Sequence, residues 1–189
     1  MSSVVRDVLA AVLAALEDVG DGWYLFGAQA ALLRGSRRLT SDVDLTLLPG
    51  NTPTSVIVGR LSDHGIVLRV ADVDDFVRQT RVLPLLHRVS GMPVDLVLGG
   101  PGLEQMFLEA AEPMQLGDLV IPVATAEHLI VMKLLAARPK DFEDALAIAR
   151  AVSLDLDRIE PLVQAIAEGL GEDDIRAALA ELRSRQARA

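Results

Sequence analysis

The sequence predicts an α+β fold in which a small mixed sheet, flanked by helices, is followed by a C-terminal helical bundle. Two observations support this prediction. Short apolar or alternating segments, typical of strands, recur between residues 23 and 123. From Thr125 onward, apolar residues recur at helical spacing and only single Pro, Ser or Gly residues interrupt them. We therefore expect an α/β core over residues 1–123 and a helical region over residues 124–189 packed on it.

The N-terminal part is predicted to alternate helices and strands. Ser2 or Ser3 caps a first helix that ends at Gly20, and a short buried strand, WYLFG, then turns at Gly27. The next helix, AQAALLRG, is closed by Gly35. Further along, SVIVGRLSDHG is a predicted helix, and the predicted strands are DVDLTLL, IVLRV, RVLPLLHRV, MPVDLVLG and LVIPVAT. The C-terminal helices are expected at 126–137, 139–152, 155–169 and 171–186.

The composition indicates a globular chain without a membrane span. The 189 residues are 51% hydrophobic and 24% charged, which suits one domain with a modest appendage. The apolar run from Val8 to Leu16 is too short to cross a bilayer, and no membrane partner or secretory leader is expected. The absence of cysteine excludes disulfides and thiolate metal sites, and it favours a cytoplasmic location.

The charge balance argues against a broad nucleic-acid-binding surface. The net charge is −9, whereas binding to phosphates requires clustered Lys and Arg. One compact basic cluster, Arg34, Arg37 and Arg38, leaves local contact with RNA open.

Two aspartates interrupt an otherwise apolar predicted strand. In DVDLTLL, alternation puts Asp42 and Asp44 on one face and the aliphatic residues on the other. Asp95 interrupts MPVDLVLG in a similar setting. If these two strands are neighbours, three carboxylates converge at one edge of the sheet.

Such a cluster needs a hard divalent cation to offset its repulsion, and we expect Mg²⁺, with Mn²⁺ as the alternative. Two ions roughly 3.5–4 Å apart suit an in-line nucleotidyl displacement. Backbone N–H groups at the strand-to-helix turn after Gly27 are suited to nucleotide phosphates. The alternative is that Asp42 is a solvated turn residue and that Asp44 and Asp95 lie on exposed sheet faces.

These residues resemble a known signature. Gly27-Ala28, thirteen intervening residues and then DVDL resemble the motif of the polymerase-β-type nucleotidyltransferase superfamily: hG[G/S], a spacer, then DhDh, with a third acid on a later strand. The stretch EHLIVMKLLAARPKDFEDALAI is similar to the helical motif of the AbiEii-like branch. That branch includes MenT-like toxins of type IV toxin–antitoxin systems. The resemblance covers most of residues 20–150.

The resemblance implies roles for the acids and the glycine turn. Asp42 and Asp44 would hold both metal ions. Asp95 would complete one metal site and help to activate the acceptor hydroxyl. Gly27 and Ala28 would accommodate the triphosphate. Ala28 departs from the Gly or Ser of the motif, because alanine keeps the backbone donor but removes the serine hydroxyl and some freedom of approach.

The resemblance also implies roles for basic residues. Lys133 would reach into the active site to balance phosphate charge, and Lys140 and Asp141 match a Lys-Asp pair near the nucleotide. Arg37 and Arg38 match basic positions ahead of the acids. The alternative is that Lys133 is an ordinary snorkelling residue and that Asp141 only suits the start of a helix.

Three functions follow as hypotheses. The first is a metal-dependent, ATP- or NTP-using enzyme that moves NMP to a hydroxyl of tRNA 3′ ends or of a protein, controlled by a cognate antitoxin. The second is a nucleotidyltransferase that modifies a small antibiotic. The acidic surface of the protein would attract a positively charged drug. The third is a non-catalytic nucleotide-binding or partner-binding module of the same fold, for which Ala28 is the support.

Overall fold

The computed structural model describes residues 3–37, 40–71, 73–171 and 174–188. The helices in these ranges are α1 (Ser3–Ala15), α2 (Gly27–Leu33), α3 (Thr54–Asp63), α4 (Val73–Thr80), α5 (Leu103–Glu109), α6 (Ala126–Ala136), α7 (Pro139–Ala151), α8 (Glu160–Leu170) and α9 (Asp174–Gln186). The strands are β1 (Gly22–Phe26), β2 (Val43–Leu48), β3 (Ile66–Leu68), β4 (Val82–His87), β5 (Pro93–Leu98), β6 (Glu112–Leu116) and β7 (Leu119–Val123). A 3-10 turn, Leu156–Ile159, leads into α8.

The chain divides into two compact units. The first unit comprises Met1–Gln29 and Thr40–Ala124 and carries the strands. The second unit comprises Ala30–Leu39 and Thr125–Ala189 and carries α6 to α9. The segment Ala30–Leu39 therefore differs from the predicted division, which was a single cut after residue 123.

The sheet of the first unit has seven strands in the order β3-β4-β5-β2-β1-β7-β6. The pairs β2–β5 and β1–β7 are parallel, and the other pairs are antiparallel. The predicted mixed sheet flanked by helices is confirmed, although it is larger than the small sheet expected. The parallel pairing of β2 with β5 is what brings two distant parts of the chain side by side.

Strands β2 and β5 lie in the middle of the sheet and are largely buried. In β5, Val94, Leu96 and Leu98 are buried, whereas Asp95 and Val97 are partly exposed. In β2, Val43, Leu45 and Leu47 are likewise buried. The second face of β5 is partly exposed, whereas in β2 Thr46 and Leu48 are buried as well and only Asp44 is partly exposed.

The first helix buries the apolar face that its spacing predicts. Val5, Val8, Leu9 and Val12 are buried, and α1 packs against α3 and β7. The helix ends at Ala15 rather than at the predicted Gly20. Gly20 instead has φ of +62° in the following turn, where a Cβ would lie 2.9 Å from the Pro49 backbone.

Three elements of the first unit were not expected from the sequence. Helix α4 has no fully buried residue, although Val73 and Val77 on its apolar side are half-buried. Helix α5 has only seven residues. Strand β6 is mostly exposed at the edge of the sheet and contains a proline, which weakens a strand pattern.

The helices of the second unit follow the predicted punctuation. The Thr125 hydroxyl accepts a hydrogen bond from the His128 N–H at the start of α6, and Pro139 occupies the first turn of α7. The predicted helix at 155–169 is a 3-10 turn followed by α8. In the ranges that the structure describes, no helix combines the length and the apolar character needed to cross a membrane.

Candidate active site

Asp44 and Asp95 are direct neighbours across the β2–β5 ladder. The parallel register pairs Val43 with Val94, Asp44 with Asp95 and Leu45 with Leu96. Partners in register project from the same face of a sheet, and neighbouring strands lie about 4.8 Å apart. Both aspartates are partly exposed. The sequence argument required β2 and β5 to be neighbours, and the structure meets this condition.

The turn at Gly27 lies directly against Asp44. In the antiparallel β1–β2 ladder, Phe26 is the partner of Asp44, and the chain then enters α2 at Gly27 with φ of +66°. A Cβ at residue 27 would overlap the Asp44 carboxylate, because it would lie 2.6 Å from Cγ and 2.7 Å from Cβ. Glycine is therefore required here both by the backbone conformation and by the carboxylate. Ala28, the next residue, is buried.

Asp42 lies just before β2 and is held by local hydrogen bonds. The Thr40 hydroxyl donates to Asp42 Oδ1. The side-chain amide of Gln29, itself only 2% exposed, lies 3.3 Å from the Asp42 carbonyl oxygen and 3.5 Å from that of Thr40. Gln29 thus fixes the backbone that leads into the acid pair.

Asp95 has a cationic partner that follows the edge strand β3. The guanidinium of Arg69, one residue after β3, donates to Asp95 Oδ1. Among the residues that the structure describes, no three His, Cys, Asp or Glu side chains form a set that could hold a metal ion. The donor chemistry of Asp44 and Asp95 nevertheless fits a hard cation, because both supply carboxylate oxygens at one point of the sheet.

A second charged group lies within the second unit. The Lys133 ammonium donates to Asp141 Oδ1 at 3.0 Å and to Asp144 Oδ2 at 2.9 Å. All three side chains are at least nine-tenths buried. Burial alone would raise the pKa of Asp141, but hydrogen bonds from Arg138 and Lys133 outweigh it and hold that pKa below its ordinary value.

The cluster of Lys133, Asp141 and Asp144 also makes a hydrogen bond to the basic segment that precedes β2. The Ser36 hydroxyl donates to Asp144 Oδ1 at 3.0 Å, and Ser36 is buried. Its neighbour Arg37 is exposed, as is Lys140 at the start of α7. Arg38 lies outside the described residues.

A cavity of about 350 Å³ lies beside Lys133 in the second unit. Arg138, Phe142 and Arg185 are among its lining residues. The Arg185 guanidinium lies 4.9 Å from the centre of the Phe142 ring and 3.0 Å from Glu143 Oε1. The volume lies within the range of roughly 300–1,000 Å³ that is usual for ligand pockets. The cationic side chains of Lys133, Arg138 and Arg185, however, each already have a carboxylate partner.

No family model and no curated protein sequence matches the chain. The solution structure of the antibiotic-resistance factor ANT(2'')-Ia matches with a TM-score of 0.54 and 15% identity, over 99% of this chain and 95% of that chain. JHP933 from Helicobacter pylori matches with a TM-score of 0.50 and 13% identity, over 100% and 95%. The fold is that of a nucleotidyltransferase.

A third solved structure, an antigenic nucleotidyltransferase-like protein from Paracoccidioides brasiliensis, has a TM-score of 0.48 and 18% identity, over 95% of this chain and 94% of that chain. At these identities the likeness concerns the fold alone. The nucleotidyltransferase fold expected from the sequence is confirmed by the match to ANT(2'')-Ia at a TM-score of 0.54. The narrower AbiEii-like branch stays a prediction.

The structure thus collects the predicted site residues of this nucleotidyltransferase fold into two groups. Gly27, Asp44 and Asp95 are in contact or in register in the first unit, and Asp42 lies two residues before Asp44. Lys133 pairs with Asp141 in the second unit.

Sequence reasoning did not find the partners of these residues. Arg69 is the one cation in the apolar run IVLRV, which was its only signal. Asp144 had a clearer signal, since it follows Asp141 by three residues and so shares its helix face. Ser36 follows the Gly35 that closes the predicted second helix, and the sequence around it gives no sign of a partner. Its hydrogen bond to Asp144 depends on a contact between segments more than 100 residues apart.

Proposed function

We propose that this chain is a metal-dependent nucleotidyltransferase that moves NMP from an NTP, such as ATP, to a hydroxyl of an acceptor. The observation that carries the proposal is the register of Asp44 with Asp95 beside the Gly27 turn. Two carboxylates on one sheet face, next to a turn that admits only glycine, make a compact anionic position. A purely structural sheet has no need of that arrangement.

The reaction balances without any redox partner. The acceptor oxygen forms a bond to the α-phosphorus of the NTP, the bond from that phosphorus to the bridging oxygen breaks, and pyrophosphate leaves. The proton of the acceptor hydroxyl passes to a base, and Asp95 is the proposed acceptor of that proton. Asp44 and Asp95 are the residues that would hold Mg²⁺ or Mn²⁺, and the resemblance adds Asp42 as a third ligand. When bound, such an ion neutralises phosphate charge and activates the attacking hydroxyl.

The other residues of the signature have supporting roles in this proposal. Gly27 and Ala28 border the position of the triphosphate. Arg37, Arg38, Lys140 and Asp141 are proposed nucleotide-binding residues on the strength of the resemblance. The role in phosphate binding that the resemblance gives to Lys133 stays a prediction, because its ammonium is already held by two buried carboxylates.

Two acceptor classes are proposed. The resemblance to the toxin-like branch supports the tRNA 3′ end or a protein hydroxyl, with a cognate antitoxin as partner. The net charge of −9 and the fold shared with an antibiotic-resistance factor support a cationic antibiotic. Growth inhibition on expression, relieved by a neighbouring gene product, favours the first class. Drug resistance on expression favours the second.

The test uses α-phosphate-labelled NTPs with Mg²⁺ and three acceptor pools: total tRNA, a protein extract and a panel of aminoglycosides. We expect labelled product in one pool and a loss of about 100-fold or more in Asp44→Asn. Asp63→Asn, the same change at an exposed residue of α3, is the matched control and should keep full activity. No product from the wild type, or equal labelling by Asp44→Asn, rejects catalysis. NTP binding without transfer would support the non-catalytic module instead.

A further inference from the structure

Arg69, Pro84, Asp95 and Asp44 lie in one row across the sheet. The β3–β4 register pairs Leu68 with Leu85, and the Arg69 N–H continues it by donating to the Pro84 carbonyl at 3.0 Å. Pro84 is in turn the partner of Asp95, which is the partner of Asp44. Register partners share a face, so Arg69 is on the face of the acid pair.

The residue between Arg69 and Asp95 is a proline. Its short ring is buried and has no polar group to compete for the cation. The Arg69 side chain therefore passes from β3 over Pro84 to Asp95 Oδ1, where its guanidinium makes an ion pair. The positive charge of Arg69 therefore comes from the end of β3, a strand that carries no acidic residue.

The ion pair is open to exchange. The side chain of Arg69 is 37% exposed and that of Asp95 is 32% exposed, so water and ions reach both. Partly exposed ion pairs contribute little free energy, and a divalent ion with several oxygen ligands competes well with a single guanidinium. The guanidinium also keeps its charge at every ordinary pH, so it is a permanent competitor.

We propose that Arg69 is the built-in counter-ion of Asp95, that it competes with a divalent metal for this carboxylate, and that it thereby sets the metal affinity of the site. This inference rests on the metal site in the proposed function. A metal ion at Asp95 would displace the guanidinium, and Arg69 balances the charge of Asp95 while no metal is bound.

The test is direct binding of Mn²⁺ to the full chain, followed by the electron paramagnetic resonance signal of free Mn²⁺, without nucleotide or acceptor. Arg69→Gln removes the competing charge, and we expect it to tighten the Mn²⁺ dissociation constant about fivefold or more. Arg69→Lys keeps the charge and should stay near the wild type. Arg78→Gln is the matched control, because Arg78 is an exposed arginine of α4 paired with Asp75.

A double-mutant cycle locates the effect. In an Asp95→Asn background, Arg69→Gln should change Mn²⁺ affinity less than twofold, because the contested carboxylate is gone. Equal affinities for wild type and Arg69→Gln, the same gain in Arg78→Gln, or no Mn²⁺ binding in any variant would overturn the inference. Circular dichroism checks that each variant is folded.

The inference and the proposed function fail in different ways. If Arg69→Gln binds Mn²⁺ more tightly but no labelled acceptor is found, the counter-ion role stands and catalysis is rejected. If transfer occurs but Mn²⁺ affinity is independent of Arg69, catalysis stands and the counter-ion role is rejected.

Discussion

The carboxylate of Asp44 occupies the space in which a side chain at residue 27 would begin. The closest atoms that a Cβ there would meet all belong to Asp44, and the backbone of Gly27 has φ of +66°. The Gly27 turn and the Asp44 carboxylate are therefore in direct steric contact, so a side chain added at residue 27 must displace that carboxylate.

We predict that Gly27→Ala disables the site through Asp44. The new methyl group must displace the carboxylate, so nucleotidyl transfer should fall about 100-fold or more, and backbone strain should cost about 1–3 kcal/mol in the free energy of unfolding. Gly91→Ala is the matched control, because Gly91 has φ of +69° but nothing within 4 Å of its Cβ position. It should show similar strain with full activity. Equal activity of the two variants contradicts the role of the contact.

We predict that Lys133→Met destabilises the second unit. The substitution leaves the carboxylates of Asp141 and Asp144 buried without this shared ammonium, which should lower the free energy of unfolding by about 3–5 kcal/mol in urea denaturation. Lys140→Met, at an exposed position of the same region, should change it by about 0.5 kcal/mol or less. Loss of transfer with unchanged stability would instead assign Lys133 to catalysis alone.

We predict that the phenol of Tyr24, which is the single tyrosine of the chain, ionises at a higher pH than an ordinary tyrosine does. Burial raises its pKa to about 12, with the charge of Glu104 adding to the effect and a hydrogen bond with Thr46 opposing it. The unfolded chain ionises near pH 10, so folding stability is full below that pH and falls as pH rises towards 12.

The measurement is tyrosinate absorbance at 295 nm, with circular dichroism recorded on the same samples. Ionisation in the folded chain should appear near pH 12, and the urea-unfolded chain should titrate near pH 10. Tyr24→Phe should lack the transition. A transition near pH 10 in a chain that is still folded would contradict the burial of the phenol.

We predict that Arg138 stabilises the fold in a pH-dependent way through Asp141. The lowered pKa of Asp141 contributes stability above its unfolded value of about 3.9, and that contribution is lost as pH falls through the folded pKa. Arg138→Gln removes one of the hydrogen bonds that lower the pKa. Urea unfolding should show the variant less stable at pH 7, with the difference shrinking in acid. Arg88→Gln, also at an exposed position, should show no such pH dependence.

Local patterns were sufficient to predict the strands that carry the acids. The alternation in MPVDLVLG put Asp95 opposite the buried face, and β5 has that burial pattern. The apolar spacing of α1 likewise predicted its buried side. Helix α4 was missed although Val73, Phe76 and Val77 recur at helical spacing, because the segment is only eight residues long and buries none of them.

Register and long-range partners could not be predicted in the same way. The pairing of Asp44 with Asp95 depends on how two strands about 50 residues apart align, which no local pattern encodes. The apolar spacing around Lys133 predicted a helix, but it did not predict that the Lys133 ammonium is buried between two carboxylates. The contact of Arg69 with Asp95 depends on the pairing of β3 with β4, which no local pattern encodes.

The division of the chain has a consequence for its use in fragments. The polypeptide leaves the first unit after Gln29, returns at Thr40 and leaves again after Ala124, so neither unit is one continuous stretch. A gene cut after codon 124 would produce a fragment that still carries Ser36 but has lost Asp144, its hydrogen-bond partner. Separate expression of the helical region would leave Asp144 without the Ser36 hydroxyl, and adding residues 30–39 to that fragment would supply it again.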